Sequence, residues 1–277
     1  MSSQEEQIIV KTGKVKVNDI NMYYEIYGDG FPLVMIMGLG VSFDYWNPNI
    51  IEEFSKNFNV IVFDNRGAGR TDKPDTEYSI KLFADDTIGL MEALNIERAH
   101  VLGHSMGGAI AQEIVLNYPE RVEKLVLSST TCGGRKFVMP SNEITQIVMR
   151  DREGMDQEEI VRNLVSVRFT EDFIKNNPEF IEEEIQRELK APITPPYSFK
   201  RQGIAVAQFN TAKRLKNINT PTLVLHGKKD ILVPPKNGEI LAELISGAKI
   251  SLFDKSGHET HFHEPEKYVK IILEFLK

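Results

Sequence analysis

Short apolar runs alternate with amphipathic stretches along the first half of the chain. The runs Lys14–Val17, Met22–Tyr27, Leu33–Met37, Val60–Phe63, Ala99–Leu102 and Lys124–Leu127 are short, and most are rich in Val, Ile, Leu or aromatic residues. Such runs suit strands buried within a sheet. Between them, Ser79–Leu94 sets Ile80, Phe83, Ala84, Thr87, Ile88, Met91 and Leu94 at three- and four-residue spacing, which predicts an amphipathic helix. Met106–Tyr118 reads as a second helix, with Pro119 just beyond its end. The rhythm then changes. From about Gly133 to Leu215 no strand-like run occurs, and four or five helical segments follow one another, split by Pro178 and by the proline-rich stretch Ala191–Pro196. After Pro221 strands return at Thr222–His226 and Lys249–Phe253, with helices over Asn237–Ile245 and Pro265–Leu276.

Eight strands with interleaved helices predict an α/β fold: a mainly parallel sheet covered on both faces. The helical stretch after the sixth strand is then an insertion over one end of the sheet. This divides the chain into a core segment at 1–132, a helical cap at 133–215 and a second core segment at 216–277.

Composition narrows the function classes. The 277 residues include 33 basic and 40 acidic side chains, a net charge of -7. That balance argues against non-specific nucleic-acid binding and against docking on an anionic membrane surface. Residues 141–190 carry 13 acidic and 7 basic side chains, read as a solvated helical face. The lone Cys132 excludes an intrachain disulfide and a zinc site built from several cysteines. The first residues, MSSQEEQ, are too polar for a signal peptide. The longest apolar stretch, Phe31 to Val41, is broken by Pro32, Gly38 and Gly40, whereas a bilayer span needs about twenty apolar residues. A soluble, cytoplasmic protein is expected.

The sharpest chemical signal is Gly103-His-Ser-Met-Gly-Gly108, between the strand Ala99–Leu102 and the helix from Met106. Gly-x-Ser-x-Gly at a strand-to-helix turn is a nucleophile elbow. It lifts the Ser105 hydroxyl off the sheet end and sets it beside the free N–H groups of the helix start, which favour developing negative charge. A serine needs a base. His104 adjoins the nucleophile on a tight turn, His100 lies inside a strand and His226 ends one. The cluster His258, His261 and His263 follows the last strand, and the Ser256-Gly257-His258 loop can turn the first imidazole toward the sheet end. His258 is the expected base, with His261 and His263 as local structural groups. The orienting carboxylate is expected from Asp230, on the loop after Thr222–His226; Asp254, close to His258 in sequence, is the rival. Oxyanion donors are expected from the backbone N–H groups of Met106 and of Leu39, in the Met37-Gly-Leu-Gly40 loop.

Taken together, MGLG at 37–40, DNRGAGRTDKP at 64–74, GHSMGG at 103–108, HGKKD at 226–230 and GHETHFHEP at 257–265 resemble the α/β-hydrolase superfamily, in its cap-bearing esterase and lactonase branch. The resemblance runs from about Lys14 to Lys277. It implies an eight-stranded, mostly parallel sheet whose second strand is antiparallel. It also implies that Asp64, Arg66 and Gly67 form a structural turn, read here as a buried charge pair bracing loops. The chain departs from the pattern at Met37, where the family usually has His. Ser105 in place of Asp excludes dehalogenase and epoxide-hydrolase chemistry as the main activity.

The expected activity is hydrolysis of a carboxylic ester or lactone, a small-molecule substrate, with no metal or organic cofactor. Three alternatives remain: carbon–carbon bond hydrolysis by the same triad, a ligand-binding module that has lost catalysis, and a metal enzyme using His258, His261 and His263. Phe137, Met139, Ile147, Met149, Phe169, Phe173, Phe180 and Phe209 are candidates for an apolar pocket lining, most of them more readily placed as core.

Overall fold

The computed structural model describes residues 10–277; the N-terminal segment read above for a signal peptide lies outside them. Each apolar run becomes a strand: β1 (Val10–Val17), β2 (Ile20–Tyr27), β3 (Phe31–Ile36), β4 (Phe58–Phe63), β5 (Ala99–His104), β6 (Val122–Ser128), β7 (Thr222–Gly227) and β8 (Lys249–Phe253). They form one sheet in the order β1-β2-β4-β3-β5-β6-β7-β8. β2 runs antiparallel to β1 and to β4, and every other neighbouring pair is parallel. The expected architecture is therefore present, antiparallel second strand included.

The helices are α1 (Pro48–Ser55), α2 (Ile80–Ala93), α3 (Met106–Asn117), α4 (Asn142–Met149), α5 (Gln157–Arg168), α6 (Glu171–Asn176), α7 (Pro178–Lys190), α8 (Pro196–Gln208), α9 (Lys236–Leu244), α10 (Thr260–His263) and α11 (Pro265–Leu276). Alternation along each strand sends side chains to two separate cores. Val34 and Ile36 of β3 pack with Phe83 of α2, Ile110 and Ile114 of α3 and Leu241 of α9. Leu33 and Met35 face the other way, among Ile50 and Phe54 of α1 and Tyr268 and Ile272 of α11. Helix α1 escapes the sequence reading because it has only two turns. Its signals are nonetheless present: Asn47 Oδ1 caps Asn49 N–H (3.0 Å), Pro48 opens the helix, and Ile50, Ile51 and Phe54 share its buried side.

Five helices, α4 to α8, stand between β6 and β7. Their starts are encoded locally. Ser141, Asp156 and Thr170 each accept a hydrogen bond from a first-turn N–H, and Pro178 and Pro196 occupy the first positions of α7 and α8. The prolines that split the helical pattern thus open helices. The insertion is anchored through Val161, Val165, Phe169, Ile181 and Ile185 on one core and Ala205 and Phe209 on the other.

The charge pair expected between Asp64 and Arg66 does not form. Arg66 binds Asp86 of α2 (2.7 Å) and Asp19 of the β1–β2 turn (2.6 Å). Asp64 instead accepts from the backbone N–H groups of Phe43 (2.9 Å) and Arg70 (2.6 Å). Both groups brace loops, but they leave the turn toward different ones.

Candidate active site

Ser105 sits between β5 and α3 with φ 54° and ψ -119°, a region that side-chain-bearing residues rarely occupy. Neighbouring contacts over-determine it. Its N–H donates to Ser128 O (2.9 Å), and Thr130 Oγ1 donates to its carbonyl (2.7 Å). The elbow also requires close backbone approach. A Cβ on Gly103 would stand 2.2 Å from Gly107 O, and one on Gly107 would stand 2.0 Å from Ile36 O. A larger residue at Gly103 would push β5 off the start of α3, and one at Gly107 would push the elbow off β3.

Asp230 follows β7 and is buried. Its Oδ1 accepts from Leu232 N–H (2.9 Å) and Val233 N–H (2.8 Å), and its Oδ2 accepts from His258 Nδ1–H (2.8 Å). Burial alone would raise this carboxyl. His258 and His226 outweigh that and hold it well below the usual carboxylate range. In turn, burial disfavours charge on His258, but the Asp230 carboxylate and its hydrogen bond prevail and raise the imidazole above its ordinary value. The His258 loop is held at both ends of its peptide: the N–H donates to Arg168 O (3.0 Å) and the carbonyl accepts from Ser129 Oγ (2.8 Å). With Nδ1–H on Asp230, Nε2 is the ring nitrogen left for the cavity that His258 and Ser105 both line. Asp254, the rival carboxylate, is exposed and paired with Lys228.

The other histidines take different places. His100 packs against Phe31 and Phe58. His226 Nε2–H donates to Val233 O (2.7 Å), steadying the loop that carries Asp230. His263 Nδ1–H donates to Glu259 O (2.7 Å), and its Nε2 accepts from Thr170 N–H (3.2 Å). His258, His261 and His263 therefore do not converge on one point. A different trio does: His104, Glu259 and His261 are buried with ligand atoms within 4.8 Å of one another, the one group among the described residues with a metal-binding arrangement. There His104 Nε2 lies 3.1 Å from Glu259 Oε2, and burial depresses His104 and brings His261 down to about 3. His261 is thus more than a local helix-start group. The sequence reading did not single out Glu259, because acid next to His258 in sequence carries no signal of facing His104.

The Met37–Gly40 loop lies against Ser105: a Cβ on Gly38 would be 3.2 Å from Ser105 Cβ. Two side chains hold this loop. Asn65 Nδ2 donates to Met37 O (3.0 Å), and Gly40 N–H donates to Gln202 Oε1 (2.8 Å) while Gln202 Nε2 donates to Arg66 O (2.9 Å). Met37 itself is buried in the core, so backbone bonds from Asn65 and Gln202 tie down the loop where the family usually has His. Leu39 lines the cavity, and Met106 opens α3, where a first-turn N–H has no acceptor within the helix.

The cavity measures about 570 Å³. Core residues Leu39, Ser105, Met106 and His258 line it together with Phe137, Met139, Met149 and Phe199 of the insertion. Of the apolar candidates, Phe137, Met139 and Met149 thus line it. Val148 does so in place of its neighbour Ile147. Phe169 is stacked on Phe173 (5.5 Å), Phe180 packs on Phe173 and Phe262, and Phe209 is core. Phe199 went unrecognised because nothing in its local sequence marks which face of α8 meets the cavity.

Residues 38–266 match the model of a family described as serine aminopeptidase, S33 (Hydrolase_4). The chain is 31% identical to a Rhizobium rhizogenes protein named as a carbamate hydrolase, RutD, over 92% of this chain and 98% of that one. It is 28% identical to a 2-hydroxymuconate semialdehyde hydrolase of Pseudomonas sp. strain CF600, over 90% of this chain and 88% of that one. Among solved structures, a thermophilic esterase from Thermogutta terrifontis superposes with a TM-score of 0.80 at 26% identity, covering 96% of this chain and 98% of that one.

Proposed function

Because the chain belongs to the α/β-hydrolases, in the serine aminopeptidase S33 family, we propose that it hydrolyses carboxylic esters through an acyl-enzyme on Ser105. One observation carries this reading: a serine held at positive φ and an imidazole whose far nitrogen is bonded to a buried carboxylate line the same cavity. In the proposed mechanism His258 Nε2 takes the Ser105 proton as Oγ attacks the carbonyl. Asp230 keeps the imidazole in the required tautomer and stabilises the imidazolium. The N–H groups of Leu39 and Met106 receive the oxyanion. His258 then protonates the leaving alkoxide, and water, deprotonated by the same nitrogen, releases the acid. No step calls for a metal or organic cofactor. In this reading residues 133–215 act as a cap that supplies most of the apolar wall of the acyl site.

The likeness to an esterase at 26% identity supports ester cleavage. A second reading, cleavage of a carbon–carbon bond or a carbamate by the same triad, draws on the semialdehyde hydrolase and carbamate hydrolase relatives. Substrate profiling separates the two: p-nitrophenyl esters of graded acyl length and a panel of lactones, against a vinylogous diketone and a carbamate. Ser105→Ala is expected to fold and to lose ester turnover by roughly 10³ or more, with loss of fluorophosphonate labelling. Turnover near wild type in that variant overturns the mechanism. Diketone or carbamate turnover far above that of every ester moves the assignment to the second reading.

A further inference from the structure

Arg152, on the connection between α4 and α5, stands where the reaction cavity meets a second one of about 260 Å³. Its guanidinium carbon lies 3.3 Å from the centroid of the Phe199 ring. Its Nη1 would be only 3.7 Å from a Cβ on Gly40, so the cation reaches the loop that also carries Leu39. Gly40, with φ 75° and no side chain, leaves that approach open.

Among the described residues, every other arginine that is at least partly buried has a carboxylate partner, and Arg135, which has none, is exposed. Arg66 has Asp86 (2.7 Å), Arg70 has Asp44 (2.7 Å), Arg168 has Glu188 (2.9 Å), Arg121 has Glu92 (3.3 Å), and Arg187, Arg201 and Arg214 have Glu184, Asp75 and Glu113. Arg152 has no carboxylate within 4.0 Å and no hydrogen-bond acceptor for its side chain among the described residues. The acids that line the two cavities are engaged elsewhere: Asp44 on Arg70, Glu188 on Arg168 and Glu259 on His104. Burial, and next Arg168, lower Arg152 to about 10, which still leaves it cationic at neutral pH. A half-buried cation without a counter-ion is costly, and the Phe199 face offsets only part of that cost. The rest of the cavity wall is mostly apolar, so one unpaired fork of N–H donors beside the oxyanion loop is a selective feature.

We infer that Arg152 is an anion subsite and that the preferred substrate is an ester bearing a second, free carboxylate, which Arg152 pairs with while Ser105 attacks the ester carbonyl. The inference rests on the ester reading for the reaction, and on Arg152 alone for the anion.

The test compares p-nitrophenyl hydrogen adipate with the p-nitrophenyl ester of adipic acid monoamide, equal in shape and differing in charge. The readout is the ratio of their kcat/KM values in wild type, Arg152→Met and Arg152→Lys. The expected ratio favours the carboxylate by roughly 10- to 100-fold in wild type, the scale of a charge-assisted hydrogen-bonded pair. It should fall to near unity in Arg152→Met and recover in part in Arg152→Lys. In parallel, adipate binding to Ser105→Ala protein is measured by calorimetry, with and without Arg152→Met, so that the subsite is read without turnover. A ratio near unity in wild type, or one that Arg152→Met leaves unchanged, overturns the subsite while leaving ester hydrolysis intact. A lower melting temperature in Arg152→Met with an unchanged ratio also overturns it and makes Arg152 a brace on Phe199. Adipate binding that depends on Arg152, in a protein that hydrolyses neither ester, sustains the subsite and instead overturns the ester reading.

Discussion

Asp230 and Asp254 each lie within a few residues of a strand end, yet their surroundings differ in ways that set opposite expectations. Asp230 is buried with two backbone N–H groups and the His258 imidazole on its oxygens, whereas Asp254 is exposed beside Lys228. Asp230→Asn is expected to cut kcat by several orders of magnitude, roughly 10³ or more, because the amide no longer fixes the base tautomer. Asp254→Asn should stay within about threefold of wild type, since an exposed ion pair contributes little. Steady-state kinetics on one ester decides it, and a crippled Asp254→Asn would mean the wrong loop had been chosen. The same pair sets the pH dependence. In the proposed role of base, His258 works only when neutral, and its bond to Asp230 raises it above its ordinary 6.5. kcat/KM should therefore be full at high pH and fall as pH drops through a midpoint above 6.5. Residual activity of Asp230→Asn should show that midpoint displaced downward, since the variant removes the carboxylate that raises it. A wild-type midpoint well below 6.5 contradicts this account.

At the level of elements, the insertion and the loops of the sheet depend on each other. Helix α8 supplies Gln202, which links Gly40 of the Met37–Gly40 loop to the Arg66 carbonyl, and Phe199, which forms part of the cavity wall. Phenylalanines of the same segment divide into two kinds. Phe137 lines the cavity, while Phe209, 5% exposed, packs into the core with Ile110 and Ala205. Phe137→Ala is expected to shift preference between short and long acyl esters by roughly 1–3 kcal/mol with a small stability loss. Phe209→Ala should instead cost about 3–5 kcal/mol of stability with little change in preference. Denaturant melts and a chain-length series on both variants test the division, and equal preference shifts in the two would refute it.

For the whole molecule, the turn after β4 is tied to α2 and to the β1–β2 turn through the buried Arg66, a link that periodicity does not reveal. Arg66 is 1% exposed and reaches from the turn after β4 to Asp86 in α2 and Asp19 in the β1–β2 turn. Asp86 is equally buried, so Arg66→Met would leave a carboxylate without its cation. We expect that variant to lose about 3–5 kcal/mol of stability, as removal of one partner from a buried pair does. The paired change Arg66→Met with Asp86→Leu should recover a good part of the loss. A single variant as stable as wild type in urea would show that the network braces nothing.

Much of this arrangement is local and so was readable along the chain. Strand alternation, the helix over Ile80–Ala93, the elbow glycines and the proline starts of α7 and α8 depend on residues a few positions apart. Their physics is carried by backbone sterics and periodic burial. The sheet class, the helical insertion and the Ser105, Asp230, His258 order follow from such signals in sequence. Partnership across the fold is of another kind. That Arg66 meets Asp86 rather than Asp64, that Glu259 faces His104, that Gln202 holds Gly40 and that Arg152 is left without an acid are facts about side chains 20 to 162 positions apart. Such pairs form because chain closure brings their elements together, and no local spacing records which charge will be buried against which.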